Sequence, residues 1–149
     1  MKKIFYSLMA ATLCLMMASC SNPASKLRSL AEDVSNNASE WTDADQWVSF
    51  MEDLATTMCD FLESDFTEDD IEEFGDAASE MVDVLEDLDD EIDDEKVIKA
   101  FSKANKKIQK NKELEKRMKA AEKKAKRRVK ELDIDEDDVR DIFRKISIF

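Results

Sequence analysis

From Leu27 onward, apolar residues return every three or four positions with charged side chains between them, a period that predicts amphipathic helices rather than strands. Leu27, Leu30, Ala31 and Val34 form a short first stripe. Trp47, Phe50, Met51, Leu54, Met58, Phe61 and Leu62 form a second, and Ile71, Phe74, Ala78, Met81, Val82, Leu85, Leu88 and Ile92 a third. A fourth begins with Val97, Phe101, Ala104 and Ile108, changes phase after Asn111, and thins to Leu114, Met118, Ala121, Ala125 and Val129. Val139, Ile142, Phe143 and Ile146 make a last one.

Helix starts are marked in the same way three times. Thr42-Asp43-Ala44-Asp45, Thr67-Glu68-Asp69-Asp70 and Asp135-Glu136-Asp137-Asp138 each set a capping side chain three residues before an acid, which satisfies amides that have no partner inside the helix. Phe66 with Ile71, and Ile134 with Val139, add hydrophobic staples. The expected fold is therefore all-α, an amphipathic bundle of about four to five helices, with one long basic helix over about residues 95 to 131. Glu113 with Arg117, Glu115 with Lys119 and Glu122 with Lys126 are spaced to support that helix in water. Neither Gly nor Pro marks a turn between Asp89 and Lys96. A turn there gives a compact antiparallel bundle; continuity gives an extended rod.

The N-terminus follows different rules. Lys2 and Lys3 precede an apolar run from Ile4 to Ala18, shorter than the ~20 residues of a spanning helix, and Ala18-Ser19 supplies small residues before Cys20. Met17-Ala18-Ser19-Cys20 resembles the lipobox of bacterial lipoproteins, with Met17 where leucine is usual. The resemblance covers only the first 20 residues. It implies a signal peptide over residues 1–19 and diacylglycerol on Cys20 as the first mature residue; after a short tether over 20–25, the apolar stripes predict a single helical domain over 26–149. Ser21, in place of aspartate, implies the outer membrane, and the absence of acids from Ser21-Asn22-Pro23-Ala24-Ser25 implies its periplasmic face, with the cell surface as the alternative. The membrane is thus an expected partner through lipid on Cys20, with Lys26 and Arg28 nearest the headgroups.

Composition narrows the chemistry. There is no histidine, which removes His-based triads and His-containing zinc sites, and one glycine cannot build a phosphate-cradling loop. With 36 acidic residues, paired carboxylates arise by composition alone. Asp133, Asp135 and Asp137 have the spacing of a calcium loop, but Asp138 and Arg144 stand where its glycine and bidentate glutamate belong. The run Asp87, Asp89, Glu91 fails likewise at Ile92 and Ile98. No enzyme, cofactor or metal site is expected. Once Cys14 leaves with the signal and Cys20 carries lipid, Cys59 is alone, either a small packed hydrophobe or a partner for another chain.

Charge is segregated in blocks. Residues 20–95 hold 26 acids against two bases, whereas residues 96–130 hold 16 bases against three acids. The basic block has two readings: pairing with acids of the same molecule, or presentation of Lys116, Lys119, Lys123, Lys126 and Arg127 to a polyanion. Nucleic acid is not an expected partner, because the segment offers no aromatic ring for stacking on bases. The expected function is that of a non-enzymatic, membrane-anchored binding or structural module for a protein or envelope polymer. The alternative is a chaperone-like or regulatory carrier that offers its apolar face to exported client proteins; Trp41, Trp47 and the many Met and Phe residues read as core, or through their methionine share as an adaptable binding groove.

Overall fold

The computed structural model describes residues 22–134. The lipobox with Cys20, the Asp135 cap and the last apolar stripe lie outside them. Five α-helices occur among the described residues, α1 Pro23–Asn37, α2 Ala44–Glu63, α3 Glu68–Glu91, α4 Glu95–Ile108 and α5 Lys112–Leu132, with a single 3-10 turn at Ala38–Glu40. The chain is all-α and forms a helical bundle.

Local chemistry accounts for each boundary. The Asn22 side chain accepts the Ala24 amide at 2.8 Å, and Pro23 sits at the first helical position, where its fixed φ is already helical. The helix thus begins inside the stretch expected as tether. At α2 the cap is Asp43 rather than Thr42: its carboxylate accepts the Asp45 amide at 3.0 Å, and the Gln46 side chain accepts the Asp43 amide. The one-residue shift accompanies a tertiary anchor, since Trp47 of the first turns is buried and its indole bonds back to Trp41. At α3 the reciprocal Thr67–Asp70 box forms as its sequence predicts, and both staple residues, Phe66 and Ile71, are buried.

The chain does turn between α3 and α4, where Asp94 caps α4 by accepting the Lys96 amide at 2.7 Å. The single basic helix expected over 95 to 131 is two helices. Asn111 starts α5 as its side-chain oxygen accepts the Leu114 amide at 3.1 Å, and its side-chain nitrogen donates to Glu52 of α2 at 3.1 Å. The break has a geometric reason. Ala104 and Ala121 are 17 residues apart, so at about 100° per residue an unbroken helix would set the two apolar stripes about 100° out of phase. The interruption lets both face α2, against which α4 and α5 each pack.

Directions follow from the cross-links. Asn22 and Arg28 of α1 reach Glu73 and Glu80 of α3 in the same order, so those helices run together. Lys26 of α1 meets Asp60 near the end of α2, so α1 and α2 are antiparallel. From Phe101 to Arg128 the partners advance from Trp47 and Asp45 through Glu52 and Asp60 to Phe66, so α4 and α5 together follow α2. The result is an up-down bundle whose fourth rod is jointed. Its closest backbone packing joins α1 to α3, α1 to α2, and α2 to α4 and α5. Phe74, Leu27, Met81, Val34 and Val97 are fully buried, and Phe61 stacks on Phe74 with centroids 4.1 Å apart.

Candidate functional site

Helix α5 distributes its cations by direction. Its buried face is Ala121, Ala125 and Val129, small side chains that bring its backbone close to α2. On the flank of that face, Arg117 donates from one nitrogen to Asp60 at 2.7 Å and Glu63 at 3.2 Å instead of pairing with Glu113. Those carboxylates hold its guanidinium above its ordinary pKa. Lys124 donates to the Glu63 carbonyl oxygen, and Arg128 to that of Phe66 at 3.0 Å. Both carbonyls lie at the C-terminal end of α2 or just past it, where backbone oxygens lack helical donors and a cation meets the negative end of the dipole.

The opposite face is a different surface. Lys116, Lys119, Lys123, Lys126 and Arg127 are all exposed, and at about 100° per residue they fall within an arc of about 100° directed away from the Ala121–Ala125 face. Lys112 and Lys130 are exposed on the same arc, which extends the stripe to about 27 Å at 1.5 Å per residue. Lys119 bonds Glu115 at 2.5 Å, raising the lysine's pKa and lowering the carboxyl's. Lys116, Lys123, Lys126 and Arg127 make no ion pair among the described residues, and the Glu122–Lys126 spacing closes none. Pairing with acids and carbonyls of the same molecule thus occupies one flank of α5, and exposed cations occupy the opposite face.

Lys26 and Arg28, expected beside the headgroups, have their charge matched within the bundle. Lys26 lies 3.8 Å from Asp60, and Arg28 lies 3.6 Å from Glu73 and 3.2 Å from Glu80. Asp133, part of the calcium-like run, is the left-handed cap that ends α5, with φ 57°. Cys59 is buried with 0% exposure, and burial pushes its thiol above the ordinary range, as suits a small packed side chain.

A second surface was not legible as such. Between the C-terminal half of α3 and α4 lies an apolar groove of about 730 Å³, with Trp47 and Met81 in its floor and Leu85, Ile92, Ile98 and Phe101 in its walls. Glu86, Asp89, Asp90 and Asn105 supply its polar lining. The sequence assigned Val82, Leu85 and Ile92 to a buried face, but they are only half-buried, and Ile98 is 52% exposed. Ile98 carried a usable signal: it stands beside Val97, off the α4 stripe, and widens the apolar arc beyond what contact with α2 requires.

Among the described residues no helix is long and apolar enough to cross a membrane, and no group of three or more Cys, Asp or Glu residues is arranged to hold a metal ion. No protein-family model, curated protein or solved structure matches the chain.

Proposed function

We propose that the protein is a lipid-anchored, non-enzymatic binding module of the bacterial envelope, whose outward cationic stripe on α5 engages a phosphate- or carboxylate-bearing polymer beside the membrane. The observation that carries this reading is the division of α5. Arg117, Lys124 and Arg128 satisfy the bundle, while Lys116, Lys123, Lys126 and Arg127 remain turned to solvent without an acid partner among the described residues. Fold stability does not require those outer charges, since like charges three and four residues apart on a helix repel. A polyanion removes that repulsion.

The proposed anchor rests on the Met17-Ala18-Ser19-Cys20 pattern, and the geometry suits it. α1 starts at Pro23, and Lys26 and Arg117 share Asp60, so the start of α1 and the basic helix lie at the same end of the bundle. A ligand at the anchoring surface would be within reach of the stripe. The membrane assignment, outer rather than inner from Ser21 and facing the periplasm from the acid-free stretch after Cys20, belongs to the same proposal.

The test is binding of the mature chain to lipopolysaccharide and to polyphosphate, with Lys119, Lys123, Lys126 and Arg127 changed to glutamate. Affinity should fall by more than tenfold and should weaken with salt in the unchanged protein, because exposed charges are screened within about 10 Å at 0.1 M. Equal binding by both proteins rejects the stripe. The groove lends some support to a second reading, a carrier for exported clients. In that case the chain suppresses light scattering from an aggregating client, whereas a dedicated binding module leaves it unchanged.

A further inference from the structure

The groove between α3 and α4 does not belong to the cationic stripe, and its chemistry is the reverse: an apolar floor with acids at the rim. Glu86, Asp89 and Asp90 line it, and no cation does. The excess charge continues along the end of α3, where Asp87 and Glu91 also lie. None of these five makes an ion pair among the described residues, and the last turn of α3 holds no basic side chain. Acids at a helix C-terminus oppose the helix dipole, so this arrangement works against α3 itself and is relieved by a cation from outside.

The walls limit the form of the occupant. Both are helices, whose backbone amides are bonded within each helix, so the groove offers an extended peptide no ladder of main-chain partners. A helix brings its own backbone hydrogen bonds and presents only side chains. The lined stretch from Met81 to Ile92 is about 16 Å long at 1.5 Å per residue, which matches three turns and anchors at positions i, i+3 or i+4, and i+7. A second copy of the chain fits poorly. Its outward cations on α5 stand among no exposed large apolar side chain, Ile98 being the one such residue among the described ones.

We propose that this groove binds a cationic amphipathic helix of a partner protein, with its apolar face on Leu85, Ile92, Ile98 and Phe101 and its basic side chains against Glu86, Asp89 and Asp90. The inference rests on the reading of the protein as a binding module but uses a surface separate from the polymer-binding stripe.

Fluorescence anisotropy with the mature full-length chain tests it. The probe is a labelled synthetic helix of leucine and lysine with leucines on one face, compared with the same helix carrying glutamate for lysine. The leucine-lysine helix should bind saturably, and at least tenfold more tightly than its acidic counterpart. The triple variant E86Q/D89N/D90N and, separately, I98D should each weaken binding at least tenfold while far-UV circular dichroism is unchanged. Lipopolysaccharide binding measured on these variants should be intact, whereas the α5 charge reversals should lose polymer and keep the peptide. Absence of binding, equal affinity for both helices, or full binding by I98D overturns the proposal. So does binding that appears only after residues 135–149 are removed, which would make that segment the occupant, or peptide release that tracks dimerisation, which would make it a second copy.

Discussion

The indole nitrogen of Trp47 donates to the backbone carbonyl of Trp41 at 3.0 Å, and the two rings meet edge to face with centroids 4.9 Å apart. This contact joins the 3-10 turn to the first turns of α2, and Phe101 of α4 also meets Trp47 edge to face, with centroids 5.0 Å apart. One side chain therefore holds together three segments and forms part of the groove floor. Trp47→Phe removes the donor and leaves a carbonyl unsatisfied, at a cost of about 1–3 kcal/mol. Urea unfolding followed by circular dichroism measures it, and a loss below about 0.5 kcal/mol would mean that the Trp41 carbonyl finds another donor.

Ala121 is buried with 0% exposure, while Ala120 beside it is on the surface of α5. Leucine at 121 has to displace α5 from α2 and should destabilise by about 1–3 kcal/mol. Leucine at 120 should stay within about 0.5 kcal/mol of the parent. Equal effects in thermal melts would contradict the close approach of α5 to α2.

Asn111 both caps α5 and reaches Glu52 on α2. Its replacement by alanine should cost about 1 kcal/mol, and serine, which retains a capping oxygen, should recover most of that. Denaturant midpoints for N111A and N111S check the order. An increase in helix content for N111A would indicate that α4 and α5 can fuse.

Burial raises the pKa of the Cys59 thiol from its ordinary 9.0, a shift that the Arg117 charge only partly offsets. A thiol with a raised folded-state pKa disfavours its thiolate in the folded chain. Its contribution to stability is therefore present below the ordinary pKa and is lost as pH climbs above it. Iodoacetamide should label Cys59 slowly at pH 8 in the folded protein and rapidly in denaturant, with Cys20 lipidated or changed to serine. Fast labelling of folded chain would place the thiol at the surface.

Much of the architecture is legible in the sequence because local physics governs it. The apolar stripes at Trp47–Leu62 and Ile71–Ile92 predict α2 and α3, and Thr67 with Asp70 identifies the start of α3. The α4–α5 break was visible only as a change of phase after Asn111. Asparagine as a cap is a weaker punctuation mark than glycine or proline, so the phase change did not by itself demand a turn. Thr42 and Asp43 are both competent caps, and what favours one over the other is where Trp47 must point.

By itself the sequence determined that the chain is helical, where acids and bases are concentrated, and most of the positions that face inward, since periodicity and composition are properties of the linear chain. Tertiary structure decided which cations are satisfied and which are offered outward. Arg117 and Lys116 are neighbours in sequence, yet one meets Asp60 and Glu63 while the other faces solvent, because α5 is rotated by the seating of Ala121 and Ala125 near α2. It also decided that α3 and α4 leave a groove between them: apolar stripes prescribe burial but not the partner, and a seam opens wherever two helices are each held more closely by others.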